Sequence, residues 1–274
     1  MNDVIYLKKN NLKLPKRDPH SHKGQNGRIL VIGGSEDYVG AVALAGLAAL
    51  RSGADWVTIA APEKTAWAIS CLSPDLITKK CNGLFFSLEH ADALITLSKD
   101  FDVVVIGNGI GLREETKKFV EKITTSTEIL KVIDADAIKS LTLYEIKNSI
   151  ITPNLRELEI LLAHSHLEKK DLQKNLKNNV CLLKGPTDTI FTKGKVVYNK
   201  TGNAGLTKGG TGDVLAGLCA GFLAQSKDLF QSACNAAYIN GSIGDILLKK
   251  KKGFTYLASD MVNEIEHLLA GLKR

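Results

Sequence analysis

The chain has 274 residues, 44% of them hydrophobic and 24% charged, which is enough to bury the core of one large α/β domain. Lysine and arginine outnumber aspartate and glutamate by 36 to 29, but this positive charge is spread along the chain, which argues against a nucleic-acid-binding protein. The five cysteines form no close Cys-x-x-Cys pair, and no segment approaches the ~18 uncharged apolar residues of a membrane span, so we expect free thiols, no membrane and a cytoplasmic location.

Short apolar runs alternate with helix-forming segments from residue 28 onward. Buried strands are predicted at residues 28–32, 56–60, 103–106, 131–133, 149–152 and 180–184, and a polar, helix-forming stretch follows each of the last four. Helices rich in small or apolar residues are predicted at 41–51, from the glycine-rich segment at 203–213 to residue 224, and at 230–249. Runs at 190–192 and 196–198 flank a Lys-Gly-Lys turn and predict a hairpin at an antiparallel edge.

This alternation predicts the α/β class, with a mostly parallel central sheet and helices on both faces. Ligands of such sheets bind beyond the carboxyl ends of the strands. We therefore expect the functional residues in the loops that follow the strands, within a single domain over residues 1–274.

The sharpest chemical signal is Gly-Gly-Thr-Gly-Asp at residues 209–213, which leads into an apolar helix. Backbone N–H groups of such a loop can converge on an anion, and the following helix adds its positive N-terminal dipole. The segment therefore predicts a phosphate cradle. Asp213 is either the N-cap of the helix or a general base toward a hydroxyl nucleophile, and the segment alone favours neither.

Residues 209–213 resemble the anion-hole and catalytic-base motif of ribokinase-like enzymes. Thr-Gly-Asn-Ala-Gly at 201–205 is similar to the ADP-dependent NAD(P)H-hydrate dehydratases within that superfamily. The opening at 22–28, with the segments 31–35 and 38–41 that follow it, resembles the dehydratase N-terminal signature, which related sugar and hydroxymethylpyrimidine kinases lack. The resemblance implies a ribokinase-like three-layer fold without an N-terminal epimerase domain.

The resemblance also implies a role for individual residues. Asp213 would be the catalytic base, and the anion hole would consist of Gly209, Gly210, Thr211 and Gly212. The substrate would contact Ala41, Gly109, Gly111, Asn154 and Asp213. The nucleotide would contact Lys184, Gly185, Pro186, Thr187, Asp188 and Gly212. Glu157 would orient Mg²⁺ through water.

Several of these positions have a second interpretation, in which the residue has a purely structural role. Gly33-Gly34-Ser35 is either a tight turn or a close approach of the backbone to the ligand, and the resemblance favours the ligand. Asn154 and Glu157, three residues apart, form either a capping box or the Asn-x-x-Glu motif that positions phosphate and hydrated Mg²⁺ in ribokinase-like enzymes. Lys184 is either a phosphate-side cation or a solvated lysine at the end of a strand.

Three residues depart from the family, and two others have only a supporting role. The family usually shows proline where this chain has Asn108, within Gly-Asn-Gly-Ile-Gly at 107–111, and many dehydratases carry histidine at the position of Asn154 and glycine at that of Arg156. Asp134 and Asp136 follow a predicted strand, and they either cap the next helix or shape the pocket.

The implied reaction is the repair of NADH hydrate or NADPH hydrate in the S form. ADP, or ATP instead, would phosphorylate the C6 hydroxyl with Mg²⁺, and loss of phosphate would restore NADH or NADPH. The resemblance further implies a separate epimerase as partner and a homo-oligomer, a tetramer as in the family. Two alternatives stay open: a kinase for a small hydroxylated metabolite such as a hydroxymethylpyrimidine, and a non-catalytic nucleotide sensor, against which Asp213 argues.

Overall fold

A nine-stranded sheet runs through the computed structural model, which describes residues 4–250 and 253–272. The strands are β1 (Arg28–Ile32), β2 (Trp56–Pro62), β3 (Ile77–Cys81), β4 (Val103–Ile106), β5 (Leu130–Ile133), β6 (Ser149–Ile151), β7 (Val180–Leu183), β8 (Asp188–Phe191) and β9 (Val196–Asn199). The helices are α1 (Val39–Arg51), α2 (Glu63–Leu72), α3 (Ala91–Ser98), α4 (Glu114–Ser126), α5 (Leu155–His164), α6 (Leu172–Asn175), α7 (Thr211–Ser226), α8 (Leu229–Lys250) and α9 (Ala258–Leu272).

The strand order is β3-β2-β1-β4-β5-β6-β7-β8-β9. Neighbouring strands from β3 to β7 are parallel, whereas β7, β8 and β9 pair antiparallel. After β1 the chain first moves outward to β2 and β3 and then returns to place β4 on the other side of β1. The crevice between the carboxyl ends of β1 and β4 is therefore a topological switch point, where open α/β sheets bind their ligands.

Alternate residues of the interior parallel strands enter two separate cores. In β4, Val103 and Val105 pack in the core under α1, α7, α8 and α9, and Val104 and Ile106 pack in the core under α3, α4, α5 and α6. All four side chains are fully buried, as the continuous apolar run predicts for a strand covered on both faces. This arrangement confirms the expected three-layer α/β architecture.

Helices α1 and α7 pack against each other more closely than most helix pairs do. A Cβ on Gly217 would lie 2.2 Å from the carbonyl oxygen of Ala45, and a Cβ on Gly221 would overlap the side chain of Ser52. Only glycine fits at these two positions of α7. The close contact fixes the N-terminus of α7, and with it residues 209–213, against the layer that covers β1 and β4.

The structure confirms some predicted elements and corrects others. The antiparallel hairpin at the sheet edge is present as β8 and β9. The prediction of a polar helix after each of the four strands from β4 to β7 is wrong at β5, which leads into a 3-10 helix at Ala135–Ser140, and at β7, which leads directly into the hairpin. Strand β3 was not predicted, since its sequence Ile-Thr-Lys-Lys-Cys is mostly polar.

An N-terminal arm, residues 4–27, runs from the edge of the sheet to β1. Tyr6 forms a parallel bridge with Tyr198, so the arm adds to the outer edge of β9. Further along, the backbone of Lys13 exchanges hydrogen bonds of 3.2 and 2.9 Å with the side-chain amide of Asn235 in α8. The arm thus covers an edge strand and contacts a helix late in the sequence.

The end of the arm, which belongs to the family-specific opening at 22–28, encloses Asp55 at the amino end of the sheet. The carboxylate of Asp55 accepts hydrogen bonds from the backbone N–H groups of Gly24 and Asn26, and Arg17 pairs with it at 2.5 Å. Burial by itself would raise the pKa of Asp55, but these hydrogen bonds lower it on balance. This part of the opening therefore braces the fold at the end of the sheet away from the β1–β4 crevice.

The cysteines are free thiols, as expected; four of them are buried and Cys71 is exposed. Within residues 4–250 and 253–272, no helix combines the length and the apolar character that crossing a bilayer requires.

Candidate active site

The loops after β1, β4, β5 and β7 meet the N-terminus of α7 at the carboxyl end of the sheet. The β1 and β4 loops are joined by a hydrogen bond of 2.8 Å from the backbone N–H of Gly34 to the carbonyl of Asn108. The β4, β5 and α7 segments are joined through side chains of Asn108, Asp134 and Asp213. Most of the residues singled out from the sequence lie in this region.

The glycine-rich segment at residues 209–213, which we call the anion loop, is open and ends in the first turn of α7. Gly210 is the N-cap of the helix and has a left-handed backbone with φ of 90°. The hydroxyl of Thr211 donates to the carbonyls of Leu206 and Lys208 and so holds the loop from inside. Across the part of the chain that the structure describes, the amides of Gly209, Gly210, Gly212 and Asp213 have no protein acceptor. These four N–H groups form the donor set that an anion requires.

Asp213 is the third residue of α7 and does not cap it, so the N-cap alternative is wrong. Its Oδ1 accepts a hydrogen bond of 2.7 Å from Nδ2 of Asn108. Burial raises the pKa of Asp213 to about 7; the bond from Asn108 and the charge of Lys184 act against this, and Asp134 adds to it. A carboxyl group with a pKa near neutrality, beside free amides, has the properties of a general base.

Asp134 is the acceptor on which three elements converge. Its Oδ1 accepts from the hydroxyl of Thr152 at 2.7 Å and from Nζ of Lys184 at 3.1 Å, and its Oδ2 accepts from Asn108 at 3.0 Å. The side chain is almost fully buried. Asp134 therefore has the supporting role expected from the sequence, and it connects β5 to the loops after β4, β6 and β7.

Lys184 reaches into the site and is not a solvated lysine at a strand end. Its Nζ lies 3.6 Å from Oε2 of Glu157, in addition to the bond with Asp134, and a Cβ on Gly212 would be only 3.5 Å from it. Burial by itself would lower the pKa of Lys184, but the carboxylates of Asp134 and Glu157 raise it on balance. A permanent cation thus lies beside the anion loop, where phosphate would bind.

Asn154 and Glu157 form the capping box of α5. The amide N–H of Glu157 donates to Oδ1 of Asn154 at 2.9 Å, and the N–H of Asn154 donates to Oε2 of Glu157 at 2.8 Å. The same Oε2 faces Lys184, so the cap lies next to the phosphate side of the site. Both interpretations of the pair are compatible with this position.

The β4 loop brings the predicted substrate residues Ala41 and Gly109 together. A Cβ on Gly109, whose φ is +62°, would lie 3.2 Å from Cβ of Ala41 and 2.6 Å from Cβ of Tyr38. Gly111 donates its backbone N–H to Asp136 at 3.1 Å, so Asp136 fixes the loop rather than capping a helix. The substrate contacts of these residues stay predictions.

Packing explains both glycines of the β1 loop. A Cβ on Gly33 would lie 2.5 Å from the carbonyl oxygen of Asn108, and Gly34 has a left-handed φ of +76°. The turn and the approach of the β4 loop therefore account for Gly33-Gly34, and a ligand contact at Ser35 or its neighbours stays a prediction.

The predicted nucleotide segment forms the turn between β7 and β8. Gly185, Pro186 and Thr187 are exposed. Asp188 accepts a hydrogen bond of 3.1 Å from the N–H of Gly185, and burial raises its pKa. The turn begins at Lys184, so its exposed face adjoins the anion loop.

Asn108 is the one member of this site that the sequence left without a role. It is fully buried, and its Oδ1 has no hydrogen-bond partner. The departure from the proline that the family usually shows was the only signal for it. No group of three or more His, Cys, Asp or Glu side chains suited to a metal ion occurs among the residues described.

Comparisons with known proteins agree on one family. The sequence model of the NAD(P)H-hydrate dehydratase family matches residues 29–267. A bifunctional NAD(P)H-hydrate repair enzyme of Methanocaldococcus jannaschii is 43% identical over 259 residues, which cover 93% of this chain and 50% of that protein. The chain thus spans about half the length of the first curated relatives that it matches.

Two further proteins match this chain over most of their own length. An ADP-dependent (S)-NAD(P)H-hydrate dehydratase of Cenarchaeum symbiosum is 34% identical over 80% of both chains. The crystal structure of the ADP/ATP-dependent NAD(P)H-hydrate dehydratase of Bacillus subtilis, co-crystallised with ATP/Mg²⁺, superposes with a TM-score of 0.82 at 27% identity and covers 99% of this chain and 100% of that one. A ribokinase-like superfamily protein of Enterococcus faecalis superposes as well, with a TM-score of 0.86 at 26% identity, and the two structural matches confirm the ribokinase-like fold expected from the sequence.

Proposed function

Because the chain belongs to the NAD(P)H-hydrate dehydratase family, we propose that it dehydrates the S form of NADH hydrate or NADPH hydrate, with ADP as phosphoryl donor. The observation that carries the proposal is Asp213, a partly buried carboxyl group with its pKa raised to about 7, beside the free backbone amides of Gly209, Gly210 and Gly212 at the switch point of the sheet. Hydroxyl activation and phosphate binding are the two tasks that this chemistry requires.

In the first step, the Asp213 carboxylate takes the proton of the C6 hydroxyl as its oxygen attacks the β-phosphorus of ADP. The bond from phosphorus to the bridging oxygen breaks, and AMP leaves. The amides of Gly209, Gly210 and Gly212 face the charge that builds up on the transferring phosphoryl group. Catalysis then comes mostly from positioning and from electrostatic stabilisation by groups that are already oriented.

In the second step, the C6–O bond of the phosphate ester breaks with the help of the ring nitrogen's electron pair. Phosphate leaves, a proton is lost from C5, and the C5–C6 double bond of NADH or NADPH is restored. No redox partner is needed, because the hydrate and the product differ only by one water. Removing this water is lyase chemistry, although the first step resembles that of a kinase.

The phosphate side of the site combines one cation with an acid that can act through water. Lys184 would pair with donor oxygens, and Glu157 and Asp134 hold its ammonium group in place. Mg²⁺ would supply further positive charge between the phosphates, and Glu157 would hold its water shell. The exposed turn Gly185–Pro186–Thr187 would contact the rest of the nucleotide. Two observations support these nucleotide contacts. The turn lies next to Lys184, and the similar Bacillus subtilis enzyme was co-crystallised with ATP/Mg²⁺.

The test is a panel of donors and substrates with the purified protein. We expect hydrated NADH with ADP and Mg²⁺ to regain the near-ultraviolet absorbance of the dihydronicotinamide ring and to release AMP and phosphate in equal amounts. ATP in place of ADP tests the second donor. A flat trace with both donors, together with phosphorylation of a hydroxymethylpyrimidine, would show instead a kinase that stops at the phosphate ester.

A cytoplasmic location, a homo-tetramer and a separate epimerase stay predictions of the family resemblance. The epimerase would supply the S form from the R form, since a single base at Asp213 serves one stereochemistry at C6.

A further inference from the structure

Asn108 makes contacts that suggest a role in the chemistry of Asp213. We propose that Asn108 is a positioning residue, whose side-chain amide holds the Asp213 carboxylate in place and favours its ionised form. This role rests on the proposed function, in which Asp213 is the base.

The backbone of Asn108 leaves its side chain little freedom. Its carbonyl accepts the hydrogen bond from Gly34, and the residue is fully buried. Gly107, just before it, has a φ of +121°, and a Cβ there would lie 2.0 Å from the carbonyl oxygen of Asp134. The β4 and β5 loops can approach this closely only because Gly107 has no side chain. The amide of Asn108 is therefore fixed between the segments that carry Asp134 and Asp213.

The surroundings decide which end of the amide faces the acids. Nδ2 lies 3.0 Å from Oδ2 of Asp134 and 2.7 Å from Oδ1 of Asp213. Ionised carboxylates only accept hydrogen bonds, so the nitrogen with its two N–H donors must point toward them. The Oδ1 atom of Asn108 is then left buried without a partner. Buried polar atoms are nearly always paired, so an unpaired Oδ1 is unfavourable. The amide keeps this orientation because its nitrogen is bonded to the two acids.

The charged groups around Asp213 oppose one another. Burial is the largest influence and raises its pKa, and the carboxylates of Asp134 and Asp136 act in the same direction. The hydrogen bond from Asn108 is the strongest influence that lowers the pKa, followed by the charge of Lys184. Without Asn108, the pKa of Asp213 would be higher, and a larger fraction of the acid would hold its proton at neutral pH. The amide thus favours the ionised form of Asp213, which is the form that acts as a base.

The first experiment measures Asp213 directly and needs no substrate. The side-chain carboxyl carbons of aspartate are labelled with ¹³C, and the signal of Asp213 is identified by its absence in Asp213→Asn. The full-length Asn108→Leu protein keeps the size of the side chain but lacks both donors. We expect Asp213 to titrate about one to two pH units higher in Asn108→Leu, the effect of one lost hydrogen bond to a charged group.

The second experiment follows the acid limb of kcat/KM with hydrated NADH, ADP and Mg²⁺. The limb should move upward in Asn108→Leu by the same amount as the carboxyl titration. Asn235→Leu is the matched control, since it also removes a buried asparagine amide, but one that binds the N-terminal arm at Lys13. It should lower stability and leave the limb where it is.

An Asp213 signal that titrates at the same pH in folded Asn108→Leu overturns the proposal. If that variant does not fold, Asn108→Pro removes the same donor and installs the residue that the family resemblance leads us to expect at this position. Absence of turnover in the wild type, with the carboxyl titration still shifted in Asn108→Leu, would overturn the proposed function and leave the effect of Asn108 on Asp213 standing.

Discussion

Burial disfavours the charged form of Asp213, and few positive groups lie nearby to compensate. Lys184 is the cation that lowers its pKa, and that ammonium is already shared between Asp134 and Glu157. Such a carboxyl group contributes little to the stability of the fold when it is ionised. It is well suited to exchange a proton near neutral pH, which is what a base toward a hydroxyl group must do.

At the residue scale, Asp213→Asn should lower kcat by at least ~10²-fold, the lower end for general-base catalysis. The affinity for ADP should stay within a few-fold, because the free amides of Gly209, Gly210 and Gly212 bind phosphate without the carboxylate. Steady-state kinetics and calorimetric titration with ADP measure the two effects.

Asp55→Asn is the control, since it changes an acid that braces the other end of the sheet. It should lower the melting temperature with kcat nearly unchanged. Near-normal turnover of Asp213→Asn would refute the assignment of the base.

Sequence alone leads to candidate site residues where a local motif carries the chemistry. Residues 209–213 contain the loop, the helix start and the acid, so the cradle could be recognised without the fold. Asn108 could not be connected to Asp213, because the two are separated by 105 positions and meet only when β4 lies beside β1 and under α7. The N-cap alternative for Asp213 was wrong because Gly210 takes the left-handed conformation three residues earlier.

At the scale of elements, the contact between α1 and α7 connects the core to the anion loop. Gly217→Ala should lower the free energy of unfolding by roughly 1–3 kcal/mol, because the new methyl group would lie 2.2 Å from the backbone oxygen of Ala45 and α1 would have to shift. Denaturant unfolding of the variant and the wild type measures the difference.

Gly271→Ala in α9 is the matched control for this substitution. Among the described residues, and apart from the backbone of its own helix and its chain neighbours, no heavy atom lies within 4 Å of the position that its Cβ would take, so the change should be neutral or stabilising by up to about 1 kcal/mol through helix propensity. Equal effects of the two substitutions would contradict the close contact between α1 and α7.

Elements were predicted from sequence where burial on both faces gives a continuous apolar run, as in β1 and β4. Strand β3 was not predicted because it is the edge strand on the β2 side, and only Cys81 of its five residues is buried. The 3-10 helix after β5 was not predicted either. It begins at Ala135, whose positive φ is unusual for alanine and is not indicated by the local sequence.

At the scale of the whole molecule, Asp213 makes stability depend on pH. Its pKa is about 7 in the folded chain and near 3.8 ordinarily, so between these values the folded state holds a proton that the unfolded state has released. Its contribution to stability is therefore fully present below pH ~4 and is lost as the pH rises through about 7.

We expect Asp213→Asn to be more stable than the wild type at pH 8, by an amount on the order of a few kcal/mol, and about equal to it at pH 4. Melting temperatures of both proteins over this range measure the effect, and their difference isolates Asp213 from the other titrating groups. Two parallel curves would show that the carboxyl group has its ordinary pKa.

The N-terminal arm affects the order in which the chain folds. Lys13 and Asn235 are 222 positions apart, and Tyr6 pairs with Tyr198, so these contacts close loops over most of the chain. Closing such loops is entropically unfavourable before the intervening structure has formed, and contacts of this kind form late. During synthesis, the arm leaves the ribosome long before β9 and α8 exist. The residues of the arm are thus among the last to reach their native partners, and their contacts prolong the lifetime of the native state more than they speed its formation.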